Sequence, residues 1–143
     1  MQSKLADMIL LATKAHDGQF DKAGKPYILH CLTVMHFVQK HYDDEDLLCI
    51  ALGHDLLEDT DVDYQYLVFN FNKRIAEGIL ALTKSTDYDA YKEQVKANKD
   101  AVIVKMADLR HNSDIRRLKG VTEKDIARTA KYMRFYEELK QCL

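Results

Sequence analysis

Apolar residues recur every three to four positions along most of the chain, the spacing of helices that turn one face inward. Leu5, Met8, Ile9, Ala12 and Ala15 predict a first helix over 3–16, with Ser3 as its N-cap. A loop follows over 17–26, DGQFDKAGKP, which holds two of the five glycines and the only proline. From Tyr27 to about Tyr42 the stripe Cys31, Val34, Met35 and Val38 predicts a second helix. Asp43 or Asp44 then caps a very apolar helix from Leu47 to about Leu57. The stretch 62–71, VDYQYLVFNF, suits a strand by its aromatics and a short capped helix by Asp63. No other segment offers a strand partner, so a helix is expected, with Tyr64, Tyr66, Phe69 and Phe71 in the core.

Further on, Ile75, Ile79, Leu80 and Leu82 mark a helical face over 73–83, and residues 88–97 are amphipathic and mostly exposed. Residues 99–118 read as one helix, with Gly120 as its stop. Thr122 and Asp125 make a capping box for a last helix over 123–141, packed through Ile126, Ala130, Met133 and Leu139. The fold expected is an all-α bundle, one domain over residues 1–143.

Composition changes this picture little. A chain of 143 residues buries enough surface to hold a core without a disulfide or a metal. One proline and five glycines exclude a collagen-like or low-complexity chain and argue against a turn-rich β-sandwich. Cys31, Cys49 and Cys142 are odd in number and form no CxxC pair, so they read as reduced thiols of a cytoplasmic protein, the first two packed in the core. The apolar stretch Met8–Ala12 is too short for a signal segment or a membrane span. A net charge of −2 excludes a globally basic nucleic-acid binder.

The distribution of charge changes it more. Between His41 and Asn72 there are nine acids and no lysine or arginine, so the rest of the chain carries +7. Asp43, Asp44, Glu45 and Asp46 read as a solvated face at a helix start, where acids suit the dipole. Asp55, Glu58 and Asp59 instead interrupt the most apolar predicted helix, where an unpaired buried acid is costly. Either that edge faces water or a cation from outside compensates.

On one continuous helix His54 and Glu58 would share a face, and Asp55 and Asp59 another. His30, just after the proline loop, and Asp108, at the end of the run AVIVKMAD, stand in similar settings. A lone histidine is more often a satisfied core or surface residue, and a lone aspartate a cap. The set His30, His54, Asp55 and Asp108 together points to a divalent ion such as Mn²⁺, Fe²⁺ or Zn²⁺.

GQFDKAGKPYILH, ALGHDLLEDT and VKMADLRHN, with a lesser echo in ALTK (81–84), resemble the signatures of the HD superfamily. The likeness is to the hydrolase domain of RelA/SpoT-type proteins and to stand-alone small alarmone hydrolases, and it runs from about His16 to Asn112. The resemblance implies an all-α fold that removes the 3′-pyrophosphate of ppGpp or pppGpp, usually with one Mn²⁺. It implies His30, His54, Asp55 and Asp108 as metal ligands, Glu58 and Asp59 as the acidic pair that orients or activates water, and Lys22 and Asn112 as substrate contacts. Asp21 stands where many members carry a base-holding arginine, and Leu109 stands where arginine is also common. These departures keep a second substrate reading open, a deoxynucleotide or a nicotinamide dinucleotide phosphate, and a third in which the protein binds an alarmone without turnover.

The expected partner is a small nucleotide, with no nucleic acid and no membrane, and by analogy a functional pairing with an alarmone synthetase. Phosphates need cations, and Lys105, Arg110, Arg116, Arg117 and Lys119 leave a local excess of three positive charges over 105–119. Arg116 lies four residues after Asn112 on the predicted helix, and it is the expected phosphate contact. Lys25 reads equally as a phosphate contact and as a solvent lysine. His16, His36, His41 and His111 have nothing in the sequence to fix them, so one metal is expected.

Overall fold

Side-chain caps set where most of the helices begin. In the computed structural model, which describes residues 3–84 and 87–143, the Ser3 hydroxyl accepts from the Ala6 amide and opens α1 (Lys4–Ala15). After the loop, α2 runs Ile28–Gln39. The Asp44 carboxylate accepts from Leu47 N and starts α3 (Glu45–Leu52), and a short α4 (Leu56–Asp59) follows it. Asp63, Asn72, Asp87 and Asn98 cap α5 (Tyr64–Asn70), α6 (Lys73–Ala81), α7 (Tyr88–Lys96) and α8 (Lys99–Asn112). A 3₁₀ turn at Ile115–Arg117 precedes α9 (Glu123–Lys140), which opens on the expected Thr122–Asp125 capping box. Among the described residues there is no strand, only an isolated antiparallel bridge between Phe20 and Pro26 in the loop before α2. No described helix is long and apolar enough to cross a membrane. The described residues are all-α, and within 62–71 the segment Tyr64–Asn70 is helical.

The core is built around α3, whose residues Leu47–Leu52 are all buried. Helices α1, α2, α6 and α8 pack around it. Each leucine or isoleucine buried there contributes roughly 1.5–3 kcal/mol. Helix α6 approaches through Gly78: a β-carbon built there would lie 2.6 Å from Ile50 Cδ1. Cys31 and Cys49 are packed in this core. At the end of the bundle where α3, α6 and α8 start, the Arg74 guanidinium spans two carboxylates, Asp44 at 2.8 and 3.1 Å and Asp100 at 2.9 Å twice.

Several expectations are corrected. The helix predicted over 47–57 breaks at Gly53–Asp55. There Leu56 N bonds back only to Gly53 O, and the His54 side chain takes up the Ala51 carbonyl. His54 is therefore on no continuous helix with Glu58, whereas Asp55 stands at the N-cap of α4, where its carbonyl takes the Asp59 amide at 2.9 Å, and stays close to Asp59 as the spacing suggested. The helix predicted over 99–118 ends at Asn112, because the Asp114 side chain accepts from Arg116 N and competes with the ladder.

The acidic run at 43–46 is less solvated than expected. Asp44 pairs with Arg74, and Asp46 pairs with Lys4 and accepts from Asn72 Nδ2. Tyr66 and Phe69 are exposed, Phe69 at 89%, while Leu67 is the residue of α5 that enters the core. Leu80 also faces outward. On α9 the packed face is Tyr132, Phe135, Tyr136 and Leu139, whereas Ile126, Ala130 and Met133 are exposed. Leu139 lies roughly 140° around the helix from Ile126, so the stripe read from the sequence mixed two faces.

Candidate metal centre

The break after α3 delivers the first two candidate ligands. His54 is 3% exposed, and its Nδ1 lies 2.7 Å from the Ala51 carbonyl oxygen. A carbonyl only accepts, so Nδ1 carries a proton and donates it. Nε2 then faces inward, 3.0 Å from Asp55 Oδ2 and 3.3 Å from Asp108 Oδ1, with neither oxygen placed for a hydrogen bond. Asp55 is steadied by the Tyr27 hydroxyl, which donates to Oδ2.

Helix α2 brings His30 from the other side, with Nε2 2.9 Å from the same Asp108 oxygen. Asp108, on α8, accepts at Oδ2 from Lys105 Nζ at 2.9 Å and at Oδ1 from Asn112 Nδ2 at 3.0 Å. Four residues from three parts of the chain thus converge on one point. Donor atoms of His30, His54 and Asp55 all lie within 4.8 Å of one another.

The electrostatics ask for a positive charge at that point. Burial acts to raise the Asp55 carboxyl, but the His54 imidazole and the Tyr27 hydroxyl together hold Asp55 at about 2. Burial opposes ionisation of Asp108 as well, and Lys105, His30 and His54 together hold it well below the usual carboxylate range. Burial disfavours charge on His54, yet Asp55 and Asp108 push its pKa well up. An inward lone pair between two carboxylates is stable only with a cation on it. A proton or a divalent ion answers, and two imidazole nitrogens with two carboxylates suit the ion. The residues present fit a divalent metal.

Glu58 and Asp59 stand at the exposed rim, and carboxylate oxygens of Asp55, Glu58 and Asp59 also gather within 4.8 Å. Partial loss of water, then repulsion from Asp55, holds both above the usual range, although the Lys84 amide at 2.7 Å opposes this at Glu58. Gln19 donates to the Asp59 backbone carbonyl at 2.9 Å and accepts at 2.8 Å from His16 Nδ1, which joins the loop before α2 to this rim.

Beside the cluster a cleft of about 250 Å³ is lined by Lys22, Tyr27, His30, Asn112, Arg117 and Arg128, among others. Its loop wall is shaped by Asp21, whose Oδ1 accepts from Ala23 N and Lys25 N, and by Gly24 at φ +81°. Asp21 Oδ2 also accepts from Arg117 Nη2 at 3.2 Å, while Arg117 Nη1 reaches the His111 carbonyl at 3.0 Å.

Lys22 and Asn112 therefore line the cleft, and Arg116 does not. The Arg116 side chain is 88% exposed and bonds Asp114 at 2.8 Å. The expectation for Arg116 fails because α8 ends before it, and the turn delivers Arg117 instead. Lys25 lines an adjacent cavity of about 470 Å³ with His36, His111 and Arg117. Lys105 is occupied by Asp108 rather than turned to phosphate.

Sequence reasoning missed Tyr27 and Arg128, counted Lys105 and Arg117 only as members of a basic run, and left His111 without a role. Lys105 precedes Asp108 by three residues on a helix, a spacing that could have flagged the pair. Arg117 reaches Asp21 across 96 positions, which leaves no local signal.

The sequence profile of the HD domain matches residues 9–133. The chain is 32% identical over 110 residues to the bifunctional (p)ppGpp synthase/hydrolase SpoT of Escherichia coli (strain K12), covering 75% of this chain and 16% of that protein. It is 32% identical over 115 residues to a guanosine-3′,5′-bis(diphosphate) 3′-pyrophosphohydrolase of Borreliella burgdorferi, covering 71% of this chain and 17% of that one. It thus spans about a sixth of the length of these relatives. The backbone aligns at a TM-score of 0.79 with a solved structure described as a metazoan ortholog of SpoT that hydrolyzes ppGpp. That alignment covers 99% of this chain and 86% of the other at 22% identity, a likeness of fold.

Proposed function

The chain belongs to the HD domain family, and from that premise we propose that it is a metal-dependent phosphohydrolase that removes the 3′-pyrophosphate of ppGpp or pppGpp. The observation that carries this reading is the buried Nε2 of His54, lodged between two carboxylates and beside a second imidazole, His30, that also lines a cleft with Lys22, Arg117 and Arg128. The names of the relatives supply the substrate class.

His30, His54, Asp55 and Asp108 would hold one divalent ion, Mn²⁺ in this reading. Such an ion, when bound, neutralises phosphate charge and acidifies water. Tyr27 and Asn112 fix the two ligand carboxylates. Glu58, anchored by the Lys84 amide, and Asp59, whose backbone is tied to Gln19, hold the attacking water and accept its proton. Lys22 neutralises the diphosphate and Asn112 offers it an amide N–H, while Arg117 and Arg128, paired with Asp21 and Asp125, add positive charge at the cleft wall, since phosphoryl chemistry depends on positioning and charge more than on a covalent residue. The protein then acts in the cytoplasm on the product of an alarmone synthetase.

A second reading has support in Asp21, whose carboxylate sits at the cleft wall where the resemblance leads one to look for a base-holding arginine. In that reading the phosphohydrolase takes another nucleotide. One assay separates them: the Mn²⁺-loaded protein is incubated with ppGpp beside deoxynucleotides and nicotinamide dinucleotide phosphates, and product is followed for each. Release of pyrophosphate from ppGpp is expected. Consumption of another nucleotide alone overturns the alarmone assignment, and no turnover with any divalent ion leaves an alarmone-binding protein. In the same assay Asp55→Ala should lose metal. Glu58→Ala should keep metal and slow hydrolysis by about 10²–10⁴-fold.

A further inference from the structure

His111 carries no part of the mechanism above, yet it makes one of the shortest polar contacts near the centre. Its Nδ1 lies 2.7 Å from Nδ1 of His30. The two rings are nearly coplanar, 14° apart, so the contact runs edge to edge in the plane where a nitrogen lone pair and an N–H bond both lie. The Arg110 guanidinium lies over the Phe37 ring, and Phe37 meets His111 edge to face, which closes that side of the pair. Arg117 holds the His111 backbone through its carbonyl.

Two neutral imidazoles that meet nitrogen to nitrogen share one proton. If it belongs to His111, His30 must carry its own proton on Nε2 and donates it to Asp108 at 2.9 Å. If it belongs to His30, then Nε2 of His30 is a lone pair aimed at the oxygen that His54 Nε2 also faces. Only the second arrangement offers a metal two imidazole lone pairs. The first becomes the second when the shared proton passes to His30 Nδ1, His30 releases its Nε2 proton and His111 takes one from solvent at Nε2, so both rings stay neutral and no heavy atom is displaced.

We propose that His111 is a positioning residue for the metal: its Nδ1 accepts the Nδ1 proton of His30 and so commits the Nε2 of His30 to the ion. His54 has a fixed partner for the same purpose in the Ala51 carbonyl, which can only accept. His30 differs because its partner can also donate, so its commitment depends on the ion being there. The two ligands therefore play different parts, one preset and one set on binding. A hydrogen-bond acceptor behind a ligating histidine fixes its tautomer and orientation, and loss of such a partner weakens metal binding by about 10- to 100-fold.

This inference rests on reading the cluster as a metal site, and the test separates the two. Mn²⁺ binding is measured by calorimetric titration for the wild type, His111→Phe and His111→Asn. The Phe ring keeps the packing and removes the acceptor, while the Asn carbonyl can occupy the position of Nδ1. The dissociation constant should rise by about 10- to 100-fold in His111→Phe and recover most of that loss in His111→Asn. Wild-type affinity in His111→Phe, or an equal loss in both variants, overturns the proposal while leaving the metal reading in place. Failure of the wild type to bind any divalent ion overturns both.

A second measurement needs no variant. In ¹⁵N-histidine-labelled wild type loaded with diamagnetic Zn²⁺, Nδ1 of His30 should be protonated and Nδ1 of His111 bare. The reverse pattern overturns the proposal.

Discussion

Lys105→Met tests the charge balance of the centre directly. Lys105 Nζ donates to Asp108 Oδ2 at 2.9 Å, and the Asp108 side chain is only 8% exposed. Removing one partner of a buried ion pair costs about 3–5 kcal/mol, because the remaining charge is left without its counter-charge. Asp108 keeps His30 and Asn112 as partners at 2.9 and 3.0 Å, so the loss should fall at the low end, about 3 kcal/mol. For a chain of this length that is a fall in Tm of about 10 °C.

Urea unfolding in the presence of a chelator measures the loss. Adding Mn²⁺ should then shrink it, because lysine and ion compete for the same carboxylate and the variant has lost the competitor. At excess ion the gap closes by RT ln of the ratio of the two dissociation constants, about 1.4 kcal/mol if the variant binds tenfold tighter. Equal stability of the two proteins in chelator would refute the reasoning. So would a deficit that stays constant as Mn²⁺ is added.

Three further outcomes follow from the geometry. Gly78→Ala should destabilise by about 1–3 kcal/mol in urea unfolding, since its β-carbon meets Ile50, and Ile50→Val in the same chain should restore part of the loss. Asp125 is held at about 2 by the Thr122 amide first and then by Arg128, against an ordinary value of 3.8. Its contribution is therefore complete above about pH 4 and disappears as pH falls towards 2. The stability gap between wild type and Asp125→Asn, followed by unfolding across that range, should close over this window; a gap constant with pH contradicts it. Arg117→Ala should lower kcat/KM for ppGpp by about 10- to 100-fold, the worth of a charged hydrogen bond, whereas Arg116→Ala should leave it nearly unchanged.

Much of the fold was legible because helix starts are written locally. Ser3, Asp44, Asp63 and Thr122 each sit three residues before the amide that their side chains accept from, and short-range spacing finds them. Helix ends were harder. The apolar run through Leu47–Leu57 continues past the break at Gly53, and the signal for that break is a histidine bonding back to Ala51, which hydropathy does not register. Likewise nothing in the run to Leu118 outweighs its helical pattern, and Asp114 ends the helix by a side-chain bond.

His30, His54, Asp55 and Asp108 could be singled out as polar residues in apolar settings, and the structure gathers them. What surrounds them depends on contacts between distant segments. Tyr27 reaches Asp55 across 28 positions, and His30 reaches His111 across 81. Charge counting also misled: the segment 43–63 has no cation of its own, but Lys4 and Arg74 from neighbouring helices pair with Asp46 and Asp44.

The Arg74 bridge sets a common zero for two helices that run from it toward the candidate site. Helix α3 covers eight residues from its cap at Asp44 to Leu52, two residues short of His54. Helix α8 covers eight positions from Asp100 to Asp108. At 1.5 Å per residue both rise about 12 Å, to Leu52 on α3 and to Asp108 on α8, and the turn after Leu52 then carries His54 to Asp108 at the far end of two helices tied together at their starts. Inserting or deleting one residue between Asp100 and Asp108 would offset Asp108 by about 1.5 Å and turn it by about 100°. The surface guanidinium thus acts as the datum of a ruler whose other end is the candidate site, and a change in the length of either helix would be felt there.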